Sequence, residues 1–187
     1  MATEPQEAPE TAVDRELDDA IAARGYVESR VRVRYAETDK MGVVYHANYL
    51  VWFEVGRVEF LRAMGLDYST MERETNVMLA VLEATARYKA PAKYDDELAV
   101  RATMTGIRGP IVRFRYSIVR IVDRLVLCEG ETVHMALGPD FKRAELPSEY
   151  AERFRRLVHE IHGNAAGSGI AKLAGSSEPG ANGGELA

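Results

Sequence analysis

Cysteine is almost absent from this chain of 187 residues. Cys128 stands alone, which rules out an internal disulfide framework and any cysteine-based zinc cluster. A single thiol suits a reducing compartment, so a cytoplasmic location is expected. No apolar run approaches the roughly 20 residues that a membrane helix needs. The N-terminus shows no apolar core behind basic residues, so neither a signal peptide nor an integral membrane segment is expected. No G-x-S-x-G nucleophile elbow, glycine-rich phosphate loop or internal repeat is present. His159 and His162 have no acidic or cysteine ligand at a useful spacing, so no metal site is expected. A strongly basic face is also missing, which argues against nucleic acid as a partner.

What charge there is falls unevenly. Residues 1–20 carry seven acidic side chains and one basic one, whereas residues 21–162 carry 22 basic and 20 acidic. Residues 1–14 are acidic, Pro-bearing and free of aromatics, and read as disordered. Residues 15–24 (RELDDAIAAR) suit a short helix. Residues 163–187 are rich in Gly, Ala and Ser and read as a flexible tail. The expected organisation is an acidic extension over 1–26, one domain over 27–162, and the tail.

Arg30–Ala36 alternates polar and apolar residues, as a half-buried strand does. Tyr49, Trp52, Phe53, Gly56, Phe60 and Met64 then share one helical face, and Gly65 stands where a C′ glycine ends a helix. Four strands follow, at about 78–89, 98–105, 112–118 and 125–137. Gly109-Pro110 and Asp123-Arg124 mark short connections, as in an antiparallel meander. Tyr150, Phe154, Leu157 and Ile161 outline a last amphipathic helix behind Pro147-Ser148. Strand, long helix and a run of strands make an α+β fold with the helix on an antiparallel sheet. One helix covers one face only, so the open edge and the second face predict a homodimer or homotetramer.

The segment Tyr35–Tyr49 (YAETDKMGVVYHANY) joins the first strand to the long helix. Tyr35, Thr38-Asp39, Gly42, Val43-Val44-Tyr45-His46, Asn48 and Tyr49 resemble the signature of the 4-hydroxybenzoyl-CoA thioesterase family, above all its Tol-Pal-associated acyl-CoA thioesterase branch. The similarity runs on through Tyr88, Pro91, Asp95-Asp96 and Arg108-Gly109 to about residue 147. It implies a hotdog fold, in which an antiparallel sheet wraps a long central helix. It implies hydrolysis of acyl-CoA thioesters with no metal or redox cofactor, coenzyme A entering only as part of the substrate. It also implies that Asp39 is the general base or nucleophile and that the His46 backbone N–H is the oxyanion donor.

The residues support such chemistry. Thioester hydrolysis needs an activated nucleophile and a donor for the developing oxyanion. The first N–H groups of a helix lack intrahelical acceptors and sit at the positive end of its dipole. Gly42 permits a tight turn and a close backbone approach. Val43, Tyr45 and Tyr49 are candidate substrate contacts, although tyrosines at such positions also serve as core aromatics. Taken alone, Asp39-Lys40-Met41-Gly42 reads as a turn. Glu37 is a rival carboxylate, expected in a salt bridge or a supporting role. Arg108 and Gly109 are the foremost candidates for the CoA phosphates, ahead of Lys89, Arg101, Lys142 and Arg143. An acyl-carrier-protein thioester, a non-catalytic acyl-CoA-binding protein and a hotdog dehydratase are the alternatives. Pocket depth should depend on how Trp52, Phe53, Phe60 and the partner subunit pack.

Overall fold

The computed structural model describes residues 24–65 and 68–165. Five strands form one antiparallel sheet: β1 (Val27–Arg32), β2 (Met78–Tyr88), β3 (Glu97–Arg108), β4 (Ile111–Arg120) and β5 (Val126–Leu137). Helix α1 (Asn48–Ala63) follows β1, a short helix α2 (Tyr68–Thr75) precedes β2, and α3 (Ser148–Ala165) ends the described chain. The sheet order is β1-β3-β4-β5-β2. The expected meander is therefore present as β3-β4-β5. The strand next in sequence to α1 does not join it there: β2 crosses to the far edge beside β5, and β1 closes the other edge beside β3.

Beside that crossover, β1 begins three residues before the expected strand and stops at Arg32. The apolar alternation runs on through Val33, but Glu37 accepts hydrogen bonds from the Arg34 backbone and guanidinium, which closes Tyr35–Glu37 into a 3-10 turn. A local side-chain bond thus overrides the strand pattern. The last helix continues to Ala165, three residues past the expected domain boundary. Residues 15–23 and 166–187, where a short helix and a flexible tail are expected, lie outside the described residues.

Helix α1 is laid on the sheet by its apolar face. Tyr49, Trp52, Phe53, Phe60 and Leu61 are buried in the one continuous core. Such side chains contribute on the order of 1.5–3 kcal/mol each by leaving water. Two glycines set the distance of approach. A Cβ on Gly56 would lie 2.8 Å from Val100 Cγ1, so the helix backbone rests on β3. A Cβ on Gly130 would overlap the Phe53 ring, which stacks on Tyr116 at 4.5 Å. The helix ends as expected, with Gly65 in the left-handed region at φ +62° behind Met64.

The opposite face of the sheet is polar. Register places Glu28 against Arg101 and Arg115 against Glu131, and both pairs are ion-paired at 2.9 Å. Ala99, Val119 and Val133 are buried on the same face.

A buried polar string runs beneath α1. Tyr116 Oη and Thr132 Oγ1 share a hydrogen bond at 2.8 Å, as do Thr132 Oγ1 and His134 Nε2. Burial and then the Arg57 charge push the His134 pKa down to about 4. Burial pushes the Tyr116 hydroxyl up to about 12. The folded state therefore holds His134 neutral between about pH 4 and 6.5, while the unfolded chain takes up a proton there. Stability should be full above about pH 6.5 and fall as the pH drops towards 4. Denaturant titrations at pH 7, 5.5 and 4.5 read this directly, and a flat profile would contradict it.

Candidate functional site

The acidic loop is a tight hairpin. Thr38 bridges Val44, and the Asp39 N–H donates to the Val43 carbonyl at 2.8 Å. The Gly42 N–H donates back to the Asp39 carbonyl at 2.9 Å, with Gly42 at φ +74°. This left-handed conformation is the reason for glycine here: a Cβ would meet nothing within 4 Å, so the backbone alone makes the demand. The half-buried Asp39 carboxylate accepts the Met41 N–H through Oδ1 at 2.8 Å. Its Oδ2 has no partner among the described residues. The turn reading and the functional reading of Asp39 are thus compatible: one oxygen sets the turn and the other stays free.

Glu37 is different. It is buried, and both its oxygens are held by Arg34. Burial alone would raise its pKa, but the Arg34 hydrogen bonds and charge, with the Trp52 indole, outweigh that and hold it below the usual carboxylate range. It is a structural ion pair, as the sequence suggests.

The loop hands the chain directly to α1. The Tyr45 N–H donates to the Glu37 carbonyl at 2.9 Å, and the Asn48 side-chain amide donates to the same carbonyl at 2.9 Å. The N–H groups of Asn48 and Tyr49 bond to the carbonyls of Tyr45 and His46. The N–H groups of His46 and Ala47 find no acceptor among the described residues. Two free amides therefore stand at the positive end of a helix of 16 residues.

Beside them lies an open pocket of about 300 Å³ lined by Val44, His46, Tyr49, Tyr88, Lys89, Ala90 and Pro91. Tyr49 is buried, and its hydroxyl accepts the Ala92 N–H at 3.0 Å. Burial raises its pKa, so the hydroxyl stays protonated near neutral pH. Lys89 is ion-paired with Glu129 at 2.6 Å. Trp52, Phe53 and Phe60 belong to the buried core, and none of them lines this pocket. Trp52 packs edge-on against Tyr49, one of the lining residues, at 5.1 Å.

The structure brings His46 and Tyr49 into the pocket wall. Asp39, Gly42, Val43 and Tyr45 are near in sequence but are not among the lining residues. Tyr45 is half-exposed and packs its ring on His46 at 4.3 Å. Arg108 and Gly109 are not brought to the pocket of the same chain. Tyr88 pairs with Cys128 at one end of β5, whereas Arg108 pairs with Ile111 and Ile111 with Met135 at the other. That places the two ends about 23 Å apart along the sheet. Tyr88 is a further pocket residue, and its signal in the chain is a tyrosine closing a strand inside the matching pattern, shortly before Lys89 and Pro91.

Comparison with known proteins agrees with this architecture. A model of the thioesterase-like superfamily matches residues 33–154. YneP of Bacillus subtilis is 43% identical over 82 residues, which span 44% of this chain and 59% of YneP. The acyl-CoA thioester hydrolase YbgC of Escherichia coli is 34% identical over 127 residues, covering 67% of this chain and 93% of YbgC. A DHNA-CoA thioesterase structure from Staphylococcus aureus aligns with a TM-score of 0.68 at 28% identity, covering 76% of this chain and 95% of the other. The sheet and its central helix are those of the hotdog fold.

Proposed function

The chain belongs to the thioesterase-like superfamily, and we propose that it hydrolyses acyl-CoA thioesters to a carboxylic acid and coenzyme A, with Asp39 as the basic group. One observation carries the assignment of roles: two unpaired amides open α1 at the wall of an apolar pocket, at the end of the loop that bears Asp39. A thioester carbonyl seated there would place its oxygen on the His46 N–H. Asp39 would take a proton from the attacking water, or attack the carbonyl itself and yield an acyl anhydride for water to open. In both routes the C–S bond breaks, and the proton given up by water ends on the departed thiolate. The amides stabilise the oxyanion, an effect worth about 10²–10³ in rate per donor. No metal or redox group is required by this chemistry.

The working unit is a homodimer in this reading. Among the described residues the outer edge of β2 is unpaired, and Val81 and Leu82 there are 57% and 50% exposed. Antiparallel pairing of two β2 edges lays the start of one strand beside the end of the other. The far hairpin of each sheet then swings towards the pocket of its neighbour. Arg108 of the partner subunit would meet the CoA phosphates, with its Gly109 packed close to Arg143. The location proposed is the cytoplasm.

Thiol release from acetyl-, medium-chain, long-chain and aromatic acyl-CoA tests the activity; silence on the whole panel would overturn it. Arg108→Ala should raise KM for the preferred acyl-CoA about fivefold. It should leave the KM for the same acyl group on pantetheine unchanged. Equal KM changes on both substrates would remove Arg108 from phosphate binding.

A further inference from the structure

We propose that Tyr88 is a positioning residue, holding the His46–Ala47 peptide group, whose N–H is the second free amide beside the His46 donor, in the orientation that binds the oxyanion. The inference rests on the assignment of that helix head as the oxyanion site.

The Tyr88 hydroxyl donates to the His46 carbonyl at 3.1 Å, across 42 positions of sequence. That carbonyl belongs to the same peptide group as the unpaired Ala47 N–H. Its other bond among the described residues comes from the Tyr49 N–H, three positions on, at 3.3 Å. Tyr88 supplies a second tether, from a distant part of the chain. Donation into a peptide C=O also polarises the N–H on its other side, because linked hydrogen bonds reinforce one another.

Tyr88 is itself held in place. Its ring meets Tyr49 edge-on at 5.1 Å and His46 at 6.4 Å. Tyr49 is fixed by the Ala92 N–H, and the Ala92 carbonyl accepts the Val44 N–H at 2.9 Å. The end of β2, the segment after it, the acidic loop and the helix start form one connected frame. A phenylalanine in place of Tyr88 would keep these ring contacts and lose only the bond to the His46 carbonyl. Partial burial raises the Tyr88 pKa, which keeps the hydroxyl a donor at neutral pH.

The test is Tyr88→Phe in the full chain, beside Asp39→Asn. Tyr88→Phe should lower kcat about tenfold, with KM within about twofold and Tm unchanged. Two acyl-CoA analogues separate orientation from packing: a trifluoromethyl ketone, which binds as an oxyanion, and a thioether, which has no carbonyl oxygen. The variant should bind the ketone about tenfold more weakly and the thioether as well as wild type. Equal effects on the two analogues, or a kcat near wild type, would overturn the proposal. If Asp39→Asn is dead while Tyr88→Phe is normal, only the role of Tyr88 fails. If Asp39→Asn is also normal, the catalytic reading beneath it fails.

Discussion

Asp39→Asn should lower kcat for thioester hydrolysis about 10³-fold, in the range that loss of a positioned base produces, with the fold unchanged. The separation of the two effects follows from the geometry. Asp39 Oδ1 accepts the Met41 N–H, and an asparagine carbonyl oxygen in the same place keeps that bond. What asparagine cannot do is take a proton or attack a carbonyl from the other position. Far-UV circular dichroism and Tm should therefore match wild type while thiol release collapses. Asp39→Ala removes the turn bond as well and should lower Tm slightly. Near-normal turnover in Asp39→Asn would deny Asp39 any chemical part. Glu37 could not take over, because Arg34 occupies both its oxygens.

The second large effect concerns the frame. Gly130→Ala should destabilise the protein by about 3 kcal/mol, the upper part of the overpacking range, or about 10 °C in Tm. A Cβ at this position overlaps the Thr85 carbonyl oxygen on one side and the Phe53 ring on the other. The first is backbone of the paired strand β2 and cannot rotate away. The second is a buried ring stacked on Tyr116. Either β2 separates from β5 or α1 lifts off the sheet. Gly42→Ala, at a position with open space around it, should cost only the backbone strain of its positive φ. A Tm for Gly130→Ala within about 2 °C of wild type would show that the core yields more easily than these contacts indicate.

Much of this was legible in the chain. Period 3.6 in Tyr49–Met64 and period 2 in Leu98–Thr105 and Val112–Ile118 are direct prints of buried faces, and the elements fall where they indicate. The route of β2 to the outer edge was not legible, because alternation reports which face is buried and says nothing of which neighbour is paired. The end of β1 was lost for a different reason: one carboxylate, Glu37, bent a strand pattern into a turn. At the site, Asp39, Gly42 and His46 share one short segment, so local reasoning could find them. Tyr88 meets His46 only through folding, and the His134 partner Thr132 needed a strand face to be recognised as such. Arg108 lies at the far end of its own sheet from the pocket, a distance that sequence order does not report.

The two borders of the sheet are unlike. One is β1, six residues long and carrying Arg30 and Arg32; the other is β2, eleven residues long with a bulge between Val81 and Glu83. A molecule with two equivalent open borders could add copies head to tail without end. The short border offers little ladder for strand addition, while the long one is the border that the proposed homodimer uses. Joining like to like there would consume it in a single step, an asymmetry that works against fibres.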